Sequence, residues 1–530
     1  MNNNVFKYVF ALVVVVLIGY TMYIIAQNKT VTDESNLDQT STQNNIQTDL
    51  RLSIAEIDTF NPLLSNNRNV QEVSKIVYEP LVTLDENYKM QYCLAEEIAK
   101  VDDLNYAVKL RKGVLWHNNT TLTTNDVRFT FDLIIRDRVS PIYYENLKYV
   151  TDLHIVDETT FTIVLSEPVP FFEYNLTFPI MCENYYEGYD FTSREIVPIG
   201  TGIFKISDVS TNQIKLLPNE TYWDVSRKPM ATEVNINLYG SIGEAYSAFK
   251  NGEIDLLTIK TNNIEEFIGT LGYNKVEFKA REYDFLSFNT QKEELSDPIV
   301  RKAISMIIDK NSLVASCLGT GYVSSNFSLD MGCWLYTRDL NIGSDRDAAS
   351  ELLINNGWTY SRNSWQKVDE NGIRNRIAFS ISVDSTNEQR VRVVENVKNQ
   401  LEDFGIPVTI NYLSNNNYVN ALNTKNYDCI IAGLNLGFSP SLKTFFGNDN
   451  LANYYNQEMV DILNEVNNTS DENVLHEKYN RIYDIYLEEA PYIGLYRNTR
   501  IIVYNQKLIG NISPNLFNIY YNIEKWYRQY

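Results

Sequence analysis

Residues 76–132 constrain the fold more tightly than any other part of the chain, because four kinds of segment follow one another there in a set order. An apolar run ends in Tyr78-Glu79-Pro80-Leu81-Val82, and Leu84-Asp85-Glu86-Asn87 reads as a turn. Tyr106, Val108 and Leu110 then recur at every second position, the period of a strand with one face buried. Leu110-Arg111-Lys112-Gly113-Val114 leads to Trp116-His117, and Leu122-Thr123-Thr124-Asn125-Asp126-Val127 opens a helix. No residue in the stretch is an evident catalytic group.

At 530 residues the chain is longer than one hydrophobic core usually organises, so at least two lobes are expected. A hydrophobic fraction of 44% and an aromatic fraction of 12% suit a folded globular protein. The 37 tyrosines fit either a compositional bias or an aromatic ligand cleft. A net charge of -21 argues against nucleic acid or an anionic lipid surface as the main partner. Five scattered cysteines with no CxxC pair make neither a zinc site nor a dense disulfide framework. Cys317 and Cys333, sixteen residues apart, are either bridged or separate thiols.

Residues 8–26 carry no charge, and nineteen residues at about 1.5 Å each span the hydrocarbon layer. Lys7 and the chain's own amine precede them, which favours an inside N-terminus and an outward body. Ala26 suits the last position of a signal peptide but Ile24 does not suit the third from last, so a retained anchor is expected, with cleavage the alternative. Residues 27–49 are polar and read as a disordered tether.

Farther on, strands are expected at 53–57, 161–165, 214–217 and 234–238, with helices at 241–251, 300–310 and 348–356. Along 283–289, Tyr283, Phe285, Ser287 and Asn289 share one face, and Asp284, Leu286 and Phe288 the other. Only three histidines exist, none paired at i, i+4, and GxSxG, HExxH and GxxxxGK[ST] are all missing. Acidic pairs such as Asp102-Asp103 and Glu488-Glu489 are what a solvated face carries. No enzyme, metal or cofactor is expected.

Taken together these segments resemble the family 5 extracytoplasmic solute-binding proteins, the oligopeptide-, dipeptide- and nickel-binding components of ABC importers. Beside residues 76–132, the matching motifs are Pro198-Ile199-Gly200-Thr201-Gly202, Asn219-Glu220-Thr221-Tyr222-Trp223, Gly252-Glu253-Ile254-Asp255 and Val300-Arg301-Lys302-Ala303-Ile304. The resemblance runs from about residue 50 to about residue 509. It implies an α/β, two-lobed periplasmic-binding-protein-like fold of class II, enlarged by an extra subdomain, with mixed sheets and a ligand cleft between the lobes. Residues 1–26 would be the anchor or signal segment, 27–49 the tether and 50–282 lobe I, with a small subdomain at about 78–195. Residues 283–493 would form lobe II and 494–530 the return to lobe I.

The same resemblance implies capture of an oligopeptide or peptide-like solute by hinge closure, without chemistry. The protein would be a monomer held on the cytoplasmic membrane by its N-terminal helix, serving an ABC permease and its ATPase subunits. A peptide-signal sensor of the same fold, uncoupled from import, is the alternative. Ligand-binding positions carried over are Asn69 and Val70 from lobe I, Tyr143 from the subdomain, Tyr283 and Phe285 on the first crossing strand, and Tyr496 on the second. A lobe II loop, in which the family places an aspartate against the peptide's α-amine, corresponds to Gly433, Leu434 and the residues up to Pro440. Gly437 (or Leu436) stands where that aspartate is expected. Losing one member of a desolvated charge pair costs about 2–5 kcal/mol, so either another acid, Asp284 being nearest, replaces it or the ligand has no free amine there.

Overall fold

Two long antiparallel strands, Tyr273–Phe288 and Tyr492–Asn505, run through the middle of the molecule, in register from Tyr273 opposite Asn505 to Ser287 opposite Tyr492. The computed structural model describes residues 46–529 apart from 48, 55–56, 187–189, 194–195, 198, 260–268, 270–271, 331, 337, 339 and 341–342. The charge-free run at 8–26 lies outside the described residues. Among those described, no helix is long and apolar enough to cross a membrane.

The crossing strands belong to a seven-stranded mixed sheet. Leu256–Ile259 pairs with the outer side of the second crossing strand, and Cys429–Asn435 pairs with the first. Beyond it come Phe379–Asp384 and Val408–Leu413, parallel to each other and joined through the helix Glu388–Glu402, as parallel pairing requires a crossover. From Tyr283 to Phe288 every residue of the first crossing strand is buried, because both faces of the sheet are covered there. Tyr283 and Phe285 enter a tyrosine-rich core with Phe445, Tyr479 and Tyr492, while Leu286 and Phe288 enter an aliphatic core with Ile304, Val393 and Ile431. The alternation read from sequence is correct, but the strand begins ten residues earlier than its clean alternating part.

Two four-stranded sheets lie N-terminal to the crossing among the described residues. Asp49–Ile54 runs parallel to Glu233–Leu238, which continues antiparallel into Gln213–Pro218 and Phe204–Val209. The strand expected at 53–57 is thus Asp49–Ile54, set earlier by its alternation of buried Leu50, Leu52 and Ile54. The helix Arg68–Val77 and the C-terminal Tyr520 and Trp526 complete that core. A separate antiparallel sheet, Ala95–Lys100, Asn105–Leu110, Thr160–Leu165 and Val150–Ile155, packs with the helix Thr124–Ile135 around Trp116, Phe131 and Phe161. Thr123 and Asp126 form a reciprocal capping box at that helix's start. All five cysteines are free thiols, so Cys317 and Cys333 are separate.

Three of the motifs that carried the resemblance, those at residues 78–82, 198–202 and 219–223, converge on one buried carboxylate. Glu79 accepts hydrogen bonds from Thr201 Oγ1 at 2.8 Å, Tyr222 Oη at 2.7 Å and Trp223 Nε1 at 3.0 Å. Gly200 and Gly202 cross so close to the preceding segment that a Cβ would sit 1.9 Å and 2.6 Å from the Val77 carbonyl oxygen. His117 fastens the same crossing: its backbone N–H donates to the Gly200 carbonyl at 2.9 Å and its Nε2 lies 3.0 Å from the Gly202 carbonyl. With Nδ1 3.3 Å from the Gly200 N–H, the neutral ring donates from Nε2 and accepts at Nδ1.

Burial holds the His117 ring down to about 4 from its ordinary value of 6.5. A folded value below the unfolded one gives stability that is present above 6.5 and lost as pH falls through about 4. Wild type is therefore expected to lose about 3 kcal/mol over that window relative to a His117→Gln variant, which has no ring to protonate. Urea denaturation of both proteins across the pH range measures it.

Candidate functional site

A cleft of about 430 Å³ opens where the first sheet meets the crossing strands. Ser53, Arg68 and Asn69 line it from the N-terminal side, Glu282 and Thr499 from the crossing strands, and Tyr322 from the short strand Tyr322–Ser324 that pairs with the second crossing strand. The ladder between the crossing strands slips here. Lys279 faces Thr499 and the next pair is Tyr283 with Arg497, so Ala280, Arg281 and Glu282 face a single residue, Asn498. Such a bulge re-aims side chains, and it turns Glu282 into the cleft.

The cleft is charged. Glu72, only 7% exposed, lies 3.7 Å from Arg68, 3.5 Å from Lys75 and 3.6 Å from Arg500. Burial lowers Arg68, with Glu72 and Glu282 pulling back. It also lowers Arg281 and Lys75, and the neighbouring Arg68 adds to the shift of each. Three buried polar atoms on the lining, Arg68 Nη2, Glu282 Oε2 and Thr499 Oγ1, have no hydrogen-bond partner among the described residues.

Asn69 lines this cleft, half-buried. Its neighbour Val70 points the other way, into an apolar pocket with Ile57, Val73 and Ile214, as successive helix positions must diverge. Tyr143 donates to Gln71 Oε1 at 2.5 Å and packs against Phe178. Tyr283 and Phe285 are 0% and 2% exposed and stack on each other within the tyrosine-rich core, so it is the opposite parity of the strand that meets the cleft. Tyr496 is buried, edge-on to Tyr322, with its hydroxyl on the Asp284 carboxylate.

Asp284, the nearest acid to replace the missing aspartate, is already engaged. Arg390, from the helix Glu388–Glu402, reaches it at 2.6 Å across 106 residues of sequence. Burial pushes the Asp284 carboxyl up, and the Arg390 guanidinium pulls against it. Gly433, directly opposite Asp284 in the ladder, makes room for this pair: a Cβ there would sit 1.9 Å from Arg390 Nη2. Leu434 is half-buried on the tyrosine-rich core. Gly437 is exposed, and the loop that carries it is docked by its neighbours. Phe438 stacks on Tyr88 at 5.6 Å and meets Phe517 edge-on at 5.1 Å, and the Arg281 guanidinium covers its ring at 4.6 Å. Arg281 Nε also donates to the Leu436 carbonyl. A cation therefore holds the loop in which an aspartate was sought.

Sequence reading missed Arg68, Glu282, Arg281 and Arg390. The parity of the first crossing strand was the available signal for Glu282; nothing local marks the other three. Among the described residues no cluster of three metal-ligating side chains occurs.

Paired crossing strands joining α/β units, with a charged cleft beside them, define the class as a two-lobed binding protein. The chain belongs to the bacterial extracellular solute-binding proteins, family 5, whose middle-region model matches residues 89–455. The oligopeptide-binding protein AppA of Bacillus subtilis (strain 168) is 25% identical over 506 residues, covering 90% of this chain and 90% of that protein. The unliganded open form of MppA, a periplasmic murein tripeptide-binding protein, superposes with a TM-score of 0.75 at 20% identity, covering 91% of this chain and 98% of that one. AppA from Bacillus subtilis in complex with a nonapeptide gives a TM-score of 0.54 at 23% identity, covering 92% and 100%. The family is one of solute binders, and the sequence carries none of the hydrolase or ATPase motifs sought in it.

Proposed function

We propose that this protein captures oligopeptides or peptide-like solutes outside the cytoplasmic membrane and delivers them to an ABC permease, whose ATPase subunits supply the energy. Residues 1–26 would hold it to that membrane as a monomer, and the lobes, divided at about 283 and 494, would close over the ligand about the crossing strands. The observation that carries the reading is the charged cleft beside those strands, with its three unpartnered polar atoms, in a chain of this family. A peptide supplies both an N–H for Glu282 and a carbonyl or carboxylate oxygen for Arg68 and Thr499.

The amine end of such a ligand is not expected to need a dedicated acid. Asp284 is paired with Arg390, Gly437 offers no charge, and Glu282 stands among the charges of Arg68 and Arg281. Random-sequence peptides with free and with N-acetylated termini should therefore bind within about threefold of each other, a difference under about 1 kcal/mol, in calorimetric titration of the purified chain. A preference of thirtyfold or more for free amines would mean that a substitute acid exists, and binding of neither set would overturn the peptide reading.

A further inference from the structure

The charge at the cleft runs against the charge of the protein. The chain carries -21 overall, yet Arg68 and Arg500 line the cleft with Lys75 and Arg281 beside them, against Glu72 and Glu282. The four lining charges cancel, so the excess of two comes from Lys75 and Arg281 beside them, and the Asp284–Arg390 pair next to them is neutral in sum. A local excess of one sign in a partly desolvated cleft selects ligands of the other sign, because low-dielectric walls screen it poorly. All four cations are partly committed to the protein: Lys75 donates to the Phe517 carbonyl, Arg281 to the Leu436 carbonyl, and Arg500 and Arg68 lie 3.6 Å and 3.7 Å from Glu72. Arg68 is the one with a buried guanidinium nitrogen lacking a hydrogen-bond partner.

We propose that the cleft selects acidic peptides, seating a ligand carboxylate on Arg68 while Glu282 accepts a ligand N–H. The inference rests on the peptide reading above and adds the charge of the substrate. The site would thus differ in sign from the amine-anchoring arrangement that the resemblance implied: the discriminating charge is a protein cation, not a protein aspartate.

The test is calorimetric titration of the detergent-purified full chain with three tetrapeptide pools, acidic, neutral and basic, at about 50 mM and about 300 mM salt. The acidic pool is expected to bind at least tenfold more tightly than the basic one at low salt, and the margin narrows at high salt. Arg68→Gln should reduce the acidic-to-basic ratio by about ten- to a hundredfold, the range of one charge-assisted hydrogen bond, whereas Arg68→Lys, which keeps the charge, retains most of the preference. Equal or tighter binding of the basic pool overturns the charge inference and leaves the peptide reading standing, as does an Arg68→Gln effect that falls alike on all three pools. Binding of no pool overturns both. The wild-type comparison decides by itself should the glutamine variant fail to fold.

Discussion

Glu79→Ala is expected to destabilise the protein by about 3–5 kcal/mol, in the range for breaking a buried charged network from one side. The side chain is 7% exposed and receives three side-chain donors from residues more than a hundred positions away. Alanine leaves Thr201, Tyr222 and Trp223 each with a buried polar atom stripped of that acceptor, at about 1–3 kcal/mol apiece before relaxation. It also unties Tyr78-Glu79-Pro80 from the two segments that pack on it. Glu79→Gln, which retains one carbonyl acceptor, should cost less than half as much. Urea denaturation monitored by tryptophan fluorescence measures both, and a midpoint shift at unchanged slope would assign the effect to the native state. An alanine variant within about 0.5 kcal/mol of wild type would show that the network contributes little.

Arg497→Ala should cost a similar amount, about 3–5 kcal/mol. Arg497 is 0% exposed on the second crossing strand, with Nε 2.9 Å from Asp330 Oδ1 and 3.1 Å from Ser325 Oγ, and Nη2 2.5 Å from the Ser328 carbonyl. Its guanidinium lies 4.5 Å over the Tyr283 ring. Removing it leaves a cavity against that ring and several buried carbonyls without their donor; Asp330 retains Lys279 at 3.2 Å. Lysine is no substitute, since one ammonium cannot reach the positions a planar fork holds at once. Arg497→Lys is therefore expected to keep only a minority of the stabilisation. Because Arg497 sits opposite Tyr283, at the end of the bulge that presents Glu282, peptide affinity should fall in both variants as well. Stability loss without any change in binding would separate the network from the cleft.

Burial explains why some positions carried over from the resemblance do not face the cleft. Tyr283 and Phe285 are aromatic residues on one face of an alternating strand, a pattern equally suited to a ligand wall and to a core. The choice was made by Phe445, Tyr479 and Tyr492, which arrive 160 to 209 residues later and cover that face. Likewise Asp284 reads as a free acid until the helix Glu388–Glu402 brings Arg390 against it and Gly433 leaves the room.

The family, the alternation of strands and helices, the parity of the crossing strand and the absence of metal or nucleophile motifs could all be read along the chain. These follow from local patterns: period-two burial, turn residues and short motifs whose spacing is set by packing at one place, as at Glu79. Which face of each strand is covered, and which charges find partners, depended on long-range packing. Arg68 and Glu72, one helical turn apart, read as an ordinary surface ion pair; only when Arg500 and Glu282 are folded against them do they line a cleft, whose positive excess comes from Lys75 and Arg281 beside it. Charge balance at a site is a sum over residues far apart in the chain, and Coulomb interactions depend on distances that the fold alone sets.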